Sequence, residues 1–285
     1  MIVTTDARGA REWSIRLGAS RRIAMVPTMG ALHEGHLSLV RRAHELADEV
    51  VVSIFVNPTQ FAPTEDLARY PKPIEDDLAA LRHEGVAMVF NPAVDTIYPS
   101  GFSTFIDPPK VALPLDGIIR PGHFRGVCTV VLKLFQIIPV SVAVFGQKDY
   151  QQSLVVAAMV KDLNIPISLV VAETVREHDG LAMSSRNRYL SVDERVRALC
   201  LSRALNAARA SYDSGERNVA MIESAMMREL RVGKSDGVDR VDYAVVRDHE
   251  TLEPLETISD SAVALVATRI GATRLIDNVI LVRDR

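Results

Sequence analysis

The chain has 285 residues, 48% of them hydrophobic, with 33 basic and 36 acidic side chains for a formal net charge of -3. At roughly 100 to 200 residues per domain this length allows one large domain or two ordinary ones, and the composition excludes disorder. Near-balanced charge leaves no polycationic footprint, so neither nucleic acid nor an anionic membrane surface is an expected partner.

Cys128 and Cys200 stand far apart and in no C-x-x-C pair. They read as two buried thiols in a reducing compartment, not as a disulfide framework or a thiolate zinc site. Met1 to Ala10 carries Asp6 and Arg8 and lacks the apolar core of a secretory signal. The apolar runs Val50 to Val56 and Ile165 to Ala172 are far below the roughly 18 residues of a membrane span. A cytoplasmic location is the resulting expectation.

Short β-branched runs alternate with helical patterns through the first two thirds of the chain, which predicts an α/β fold with a parallel sheet. The first strand is Arg22 to Val26. After a turn, a helix begins near Gly35, with Leu39, Val40, Ala43, Leu46 and Ala47 on one stripe and Arg41, Arg42 and Glu45 facing away. Val50 to Val56 is the next strand. A helix at Ile74 to Glu84 opens with Glu75, Asp76 and Asp77, acids that suit a positive helix start. Ala87 to Phe90 is a strand, Gly126 to Ile138 a helix and Val140 to Phe145 a strand. The helix Tyr150 to Leu163 is stopped by Asn164 and Pro166 before the strand Ile167 to Ala172. These strands lack a polar face, as strands covered by helices on both sides do.

Beyond about residue 175 the pattern changes to Ala- and Arg-rich helices at Val192 to Ala210 and Asn218 to Leu230. Candidate strands follow at Val241 to Val246, Ala262 to Thr268 and Arg274 to Val282. The expected division is therefore residues 1–174 and a smaller α+β domain at 175–285. Arg176 to Asn187, with Gly180 and paired serines, is the natural hinge or flexible loop between them.

The most informative stretch is Pro27-Thr28-Met29-Gly30-Ala31-Leu32-His33-Glu34-Gly35-His36, a turn from strand to helix. Ligands of open α/β sheets bind at such turns, and helix-start N–H groups attract phosphate. His33 and His36, three residues apart, can face the same anion. Three rival motifs fail. The glycine spacing of a P-loop is present, but His36 and Leu37 occupy its Lys and Ser/Thr positions; G-x-G-x-x-G is absent; and a zinc helix needs histidines four apart. Two histidines in a solvated loop have the same composition and stand as the alternative.

Phe145-Gly146-Gln147-Lys148-Asp149-Tyr150-Gln151-Gln152 is a second strand-to-helix turn, where Lys148 can neutralise phosphate charge and Gln152 offers an uncharged hydrogen-bonding group. Met183-Ser184-Ser185-Arg186 combines hydroxyls with a guanidinium, a phosphate-contacting set that a polar linker also matches. Gln60, after Val56-Asn57-Pro58, could hold a polar substrate or be an ordinary loop glutamine. Tyr70, Asp76, Arg120 and His123 are further polar candidates, and Asp76 is equally a helix-start acid.

Together P-T-M-G-A-L-H-E-G-H, N-P-T-Q-F at Asn57 to Phe61, R-P-G-H-F-R-G-V at Arg120 to Val127, F-G-Q-K-D-Y-Q-Q and G-L-A-M-S-S-R-N at Gly180 to Asn187 resemble the pantoate:β-alanine ligase family. The resemblance runs from about Arg22 to Asp277-Asn278 and thins after Leu190. It implies membership of the H-x-G-H nucleotidyltransferases, a Rossmann-like N-terminal domain that binds ATP and pantoate, a small C-terminal lid and a homodimer. The implied reaction condenses pantoate with β-alanine, converting ATP to AMP and pyrophosphate with Mg2+. Carried over by position, Met29, Gly30, Ala31, Leu32, His33, Glu34, Gly35 and His36 bind ATP, as do Gly146, Gln147, Lys148, Asp149, Val175, Met183, Ser184, Ser185 and Arg186. Gln60 would contact pantoate and β-alanine, and Gln152 pantoate. His36 is the family's proton donor, acting with His33, Lys148 and Arg186, and Asp76 is a candidate metal ligand. A nucleotidyltransferase that leaves AMP on its product and a nucleotide-binding module without turnover are the competing expectations.

Overall fold

Strands whose two faces both meet helices carry apolar residues at every position, and that is how the first sheet is built. The computed structural model describes residues 1–62 and 65–282. In chain order the first elements are β1 (Ile2–Thr4), α1 (Ala7–Gly18), β2 (Ile23–Thr28), α2 (Glu34–His44), β3 (Glu49–Ile54), α3 (Ile74–His83) and β4 (Met88–Phe90). The short helices α4 (Val94–Ile97) and α5 (Asp116–Ile119) precede α6 (His123–Ile137), β5 (Val142–Gly146), α7 (Tyr150–Asp162) and β6 (Ser168–Ala172). The remainder comprises α8 (Val192–Asp213), α9 (Val219–Leu230), β7 (Arg240–Arg247), β8 (Ser261–Ile270) and β9 (Thr273–Val282).

The chain divides into two compact units, Met1–Gln147 with Gln151–Glu173, and Lys148–Tyr150 with the residues from Thr174 onward. In the first unit six strands pair in the order β1-β4-β3-β2-β5-β6, and every pairing is parallel. Alternate residues feed two cores. Met25, Val51, Met88, Phe90, Ala143 and Phe145 join Trp13, Val127, Val131 and Val155 on one face. Ala24, Val26, Val50, Val52, Val89, Val142 and Val144 join Leu39, Val40, Ala43 and Leu81 on the other. The predicted α/β class with helices on both faces is what the structure has.

β2 lies between β3 and β5, and the chain leaves β2 and β5 in opposite directions across the sheet. A crevice opens beyond the carboxyl ends of strands where the order reverses in this way. The turn after β2 lies there.

The elements expected from the sequence do not include β1, α1 or the four-residue helices α4 and α5. β1 is a three-residue edge strand paired with β4, with Ile2 and Val3 about half exposed at 48% and 47%, too short to carry a period. α1 did carry a signal: the Asp6 carboxylate accepts from the N–H groups of Arg8 and Gly9 and caps the helix, and Ala10, Trp13 and Ser14 form its buried stripe.

The second unit is a three-stranded antiparallel sheet, β7-β8-β9, with α8 and α9 packed on a core of Leu201, Leu205, Tyr212, Ile222, Met226, Ala264 and Val266. α8 opens with a capping box in which Ser191 and Glu194 satisfy each other's backbone N–H groups. The predicted α+β character of this part is observed.

Candidate functional site

The turn leaving β2 is anchored from below. Thr28 Oγ1 donates to the Ser53 carbonyl at 2.7 Å and accepts from the Gly30 N–H at 3.2 Å. Gly30 and Ala31 then take positive φ values of 79° and 52°, and a Cβ on Gly30 would stand 3.0 Å from both Asp77 and Ile54. The N–H groups of Ala31 and Leu32, now pointing inward, donate to the two oxygens of the Asp77 carboxylate at 2.8 Å each. Asp77 is only 3% exposed.

This narrows the expected phosphate cradle. The amides of Ala31 and Leu32 hold a protein carboxylate, so the backbone donors left for an anion lie at the start of α2. There His33 is extended, with φ -145° and ψ 174°, and its side chain takes no part in capping the helix. The half-buried rings of His33 and His36 lie with centroids 4.1 Å apart at a tilt of 40°, presenting two imidazoles together at a positive helix end. Glu34 turns to the surface, where the Arg41 hydrogen bond holds its carboxyl below the usual range.

Asp76, the sequence candidate for a metal ligand, is exposed. The acid that the helix start buries is Asp77, on the same stripe as Leu81. Among the described residues no three His, Cys, Asp or Glu side chains cluster as a metal site.

Gln60 sits in a short 3-10 turn after β3, and nearly every polar atom around it has a defined partner. Asn57, 1% exposed, donates through Nδ2 to Gln60 Oε1 at 2.9 Å and to the Gly126 carbonyl at 3.3 Å. Asn57 Oδ1 accepts from the Tyr98 hydroxyl and Thr59 Oγ1, both at 2.9 Å, and from the Thr59 N–H at 3.3 Å. The turn lies against α6 because residue 126 is glycine; a Cβ there would stand 2.4 Å from the Thr59 carbonyl oxygen.

The Gln60 carbonyl accepts from His123 Nδ1 at 2.9 Å and Arg120 Nη2 at 3.2 Å. Arg120 Nη1 also lies 3.0 Å from His123 Nε2. A guanidinium can only donate, so Nε2 is the acceptor and the proton resides on Nδ1. Burial, with the Arg120 charge, pushes His123 down to about 4, against the pull of the Gln60 carbonyl and the Asp116 and Glu65 charges. The imidazole is neutral at physiological pH. Burial works against the Glu65 carboxylate, but hydrogen bonding and charge from Arg120 hold it below its ordinary value. Arg120 and His123, polar candidates in the sequence, thus meet at Gln60. Asn57 and Tyr98 were not singled out as functional, although Asn57 lies within a motif.

Gln152 is half-buried in the first turn of α7. Its neighbour Gln151 is buried and holds the segment before α5, donating to the carbonyls of Val111 and Pro114 and accepting from the Asp116 N–H.

Within the second unit, Arg176 to Asn187, the segment expected to be a hinge or flexible loop, makes several side-chain hydrogen bonds and ion pairs. Arg176 makes a two-pronged pair with buried Asp277 at 2.6 and 3.0 Å and donates to the Gly180 carbonyl. Asn187 Nδ2 donates to Glu177 at 2.7 Å and to the Ala182 carbonyl, while Arg195 bridges Glu177 and Asp179. Met183 bonds back to the Val175 carbonyl, and Ser184 Oγ accepts from the Arg186 N–H to start the 3-10 turn Ser185–Tyr189. Lys148 belongs to this unit, its carbonyl accepting from Asn278 Nδ2 at 2.9 Å. Gly146 and Gln147 close the strand and turn of the first unit.

Known proteins resemble this chain over nearly its whole length. The pattern of the pantoate-beta-alanine ligase family matches residues 2–280. The pantothenate synthetase of Rhodopirellula baltica is 56% identical over 90% of this chain and 90% of its own. The crystal structure of pantothenate synthetase from Thermus thermophilus superposes with a TM-score of 0.92 at 44% identity, covering 98% of this chain and 99% of that one. A pantoate-beta-alanine ligase from Francisella tularensis, crystallised with beta-gamma ATP and beta-alanine, has a TM-score of 0.78 at 33% identity over 98% and 97% of the two chains.

Proposed function

The chain belongs to the pantoate-β-alanine ligase family, and on that premise we propose that its ATP-dependent condensation of pantoate with β-alanine runs through a pantoyl adenylate. The observation that carries the proposal is the close, tilted His33–His36 ring pair at the start of α2, beside the strand-order reversal of the sheet. A carboxylate and an ammonium do not condense in water. Here a pantoate carboxylate oxygen attacks the α-phosphorus of ATP, the bond to pyrophosphate breaks, and an acyl phosphate anhydride results. The neutral amine of β-alanine then attacks the acyl carbon, AMP leaves, and the amine proton passes to the medium.

Negative charge grows on the phosphoryl oxygens and the leaving group in the first step. His33, His36, Lys148 and Arg186 are the groups we assign to it, with His36 as proton donor; one preorganised donor of this kind contributes about 3 to 4 kcal/mol. Met29 to His36, Gly146 to Asp149, Val175 and Met183 to Arg186 form the proposed ATP-binding set, and Gln60 and Gln152 the pantoate-binding set, with β-alanine also against Gln60. The second unit takes the part of a lid, because an acyl phosphate must be kept from water. Mg2+, bound mainly through the ATP phosphates, would supply neutralisation of their charge, with Asp76 the carboxylate assigned to it on this chain. A homodimer in the cytoplasm completes the assignment.

The test is a single-turnover assay with ATP and pantoate alone. Pyrophosphate release before β-alanine is added, and its loss by about 100-fold in His36→Ala, are the expected results. Pyrophosphate that appears only when both acids are present overturns the two-step mechanism.

A further inference from the structure

Which face of the Gln60 amide a substrate meets is decided by two backbone groups that cannot rotate. The Thr59 N–H is only a donor and the Gly126 carbonyl only an acceptor, and they stand on opposite sides of the Asn57 side chain, at 3.3 Å each. Turning Asn57 over would set NH2 against N–H and oxygen against carbonyl. Its orientation is therefore fixed, with Nδ2 toward Gln60, and the Gln60 atom 2.9 Å away must be the oxygen. The remaining end of the amide is Nε2, which carries two N–H groups and no lone pair to accept with.

We infer that Gln60 acts on pantoate only as a donor, toward an oxygen acceptor of the substrate, and that Tyr98 is a positioning residue that keeps it so. The Tyr98 hydroxyl reaches both Asn57 Oδ1 at 2.9 Å and Thr59 Oγ1 at 3.3 Å, closing the polar shell around the amide that orients Gln60. Tyr98 does not touch Gln60; it works through Asn57. At the far side, His123 and Arg120 fix the Gln60 carbonyl. Backbone and side chain are thus pinned independently, and Nε2 is the end of the amide that Asn57 does not hold. A site of this kind favours an acid or alcohol oxygen and rejects a substrate that offers an N–H or a methyl at the same place, because the hydrogen bond of the donor is then left unmade.

This rests on Gln60 as a pantoate contact, and the experiment separates the two. Gln60→Met keeps side-chain length and removes the amide; its pantoate KM rises about 30-fold, and a KM within threefold of the wild type shows that Gln60 does not contact pantoate. In protein labelled with 15N-glutamine, the side-chain NH2 pair missing from Gln60→Met identifies Gln60. One of its proton signals moves downfield on saturation with pantoate, as a donated hydrogen bond requires. With the Gln60→Met effect present and that signal unmoved, the donor assignment is overturned. Tyr98→Phe removes one hydroxyl: pantoate KM rises about fivefold, while the KM of ATP, kcat and the thermal midpoint stay within experimental spread. A pantoate KM within 1.5-fold, or an equal rise in all substrate constants, removes Tyr98 from the positioning role.

Discussion

The loops that leave β2 and β3 are neighbours in one sheet, yet they are held by opposite chemistry. The β2 loop is strained, with Ala31 at positive φ, and its inward N–H groups are satisfied by the full negative charge of Asp77. The β3 loop is held by uncharged groups, with Asn57, Thr59 and Tyr98 sharing hydrogen bonds and a neutral His123 at the Gln60 carbonyl. A carboxylate under the loop assigned to ATP leaves the positive helix end and the histidines as the groups offered to it, and a buried anion holds two amides more firmly than a neutral acceptor does. Under the loop assigned to anionic pantoate, a neutral shell sets donor polarity without adding negative charge. The difference teaches that each loop is braced by a charge state compatible with its proposed ligand.

The largest break in that comparison is Asp77→Ala, which leaves two buried N–H groups unmade. It should destabilise the first unit by about 4 kcal/mol and lower adenylate formation roughly 100-fold. Denaturant unfolding and the pyrophosphate burst check both; a burst unchanged in the folded variant would mean that the charged brace does not position the histidines.

Next is acid sensitivity of the β3 side. His123 is lowered from 6.5 to about 4, so the folded state favours the neutral ring. Its stabilising contribution is complete above pH 6.5 and is lost as the pH falls from there through 4, because the unfolded chain binds the proton first. The loss approaches about 3 kcal/mol, and Glu65, also lowered, acts in the same direction at lower pH. Thermal midpoints measured between pH 7 and pH 4 should fall more steeply in the wild type than in His123→Asn, and equal slopes would exclude the ring as the sensor.

The smallest is Gly126→Ala. The added Cβ meets the Thr59 carbonyl and must push the turn from α6, at a cost of about 2 kcal/mol and a raised pantoate KM with the ATP KM unchanged. A normal pantoate KM would show that the turn relaxes without disturbing Gln60.

Much of this was legible beforehand. The β2 to β6 strands announced themselves because residues feeding two cores are apolar without interruption, and α2 because its stripe has helical period. The two histidines and the serine loop stood out by residue type and spacing, whereas the role proposed for Gln60 came only with the family resemblance. Asp77 had a signal that went unused: it lies three residues from Ile74 and four from Leu81, on the inward stripe of α3, whereas Asp76 is turned about 100° away into solvent. Arg176 and Asp277 had none, being about a hundred residues apart in the chain.

By itself, then, the sequence determined the class of each element, the α/β and α+β halves and the family, because periodicity, turn residues and motif spacing are local properties of the chain. Only the tertiary structure decided that the Ala31 and Leu32 amides belong to Asp77, that His123 is neutral with its proton on Nδ1, and that the side-chain oxygen of Gln60 is taken by Asn57. Hydrogen-bond polarity and protonation depend on which donors and acceptors are brought within about 3 Å and shielded from water, and a folded chain sets that between residues that are far apart along it.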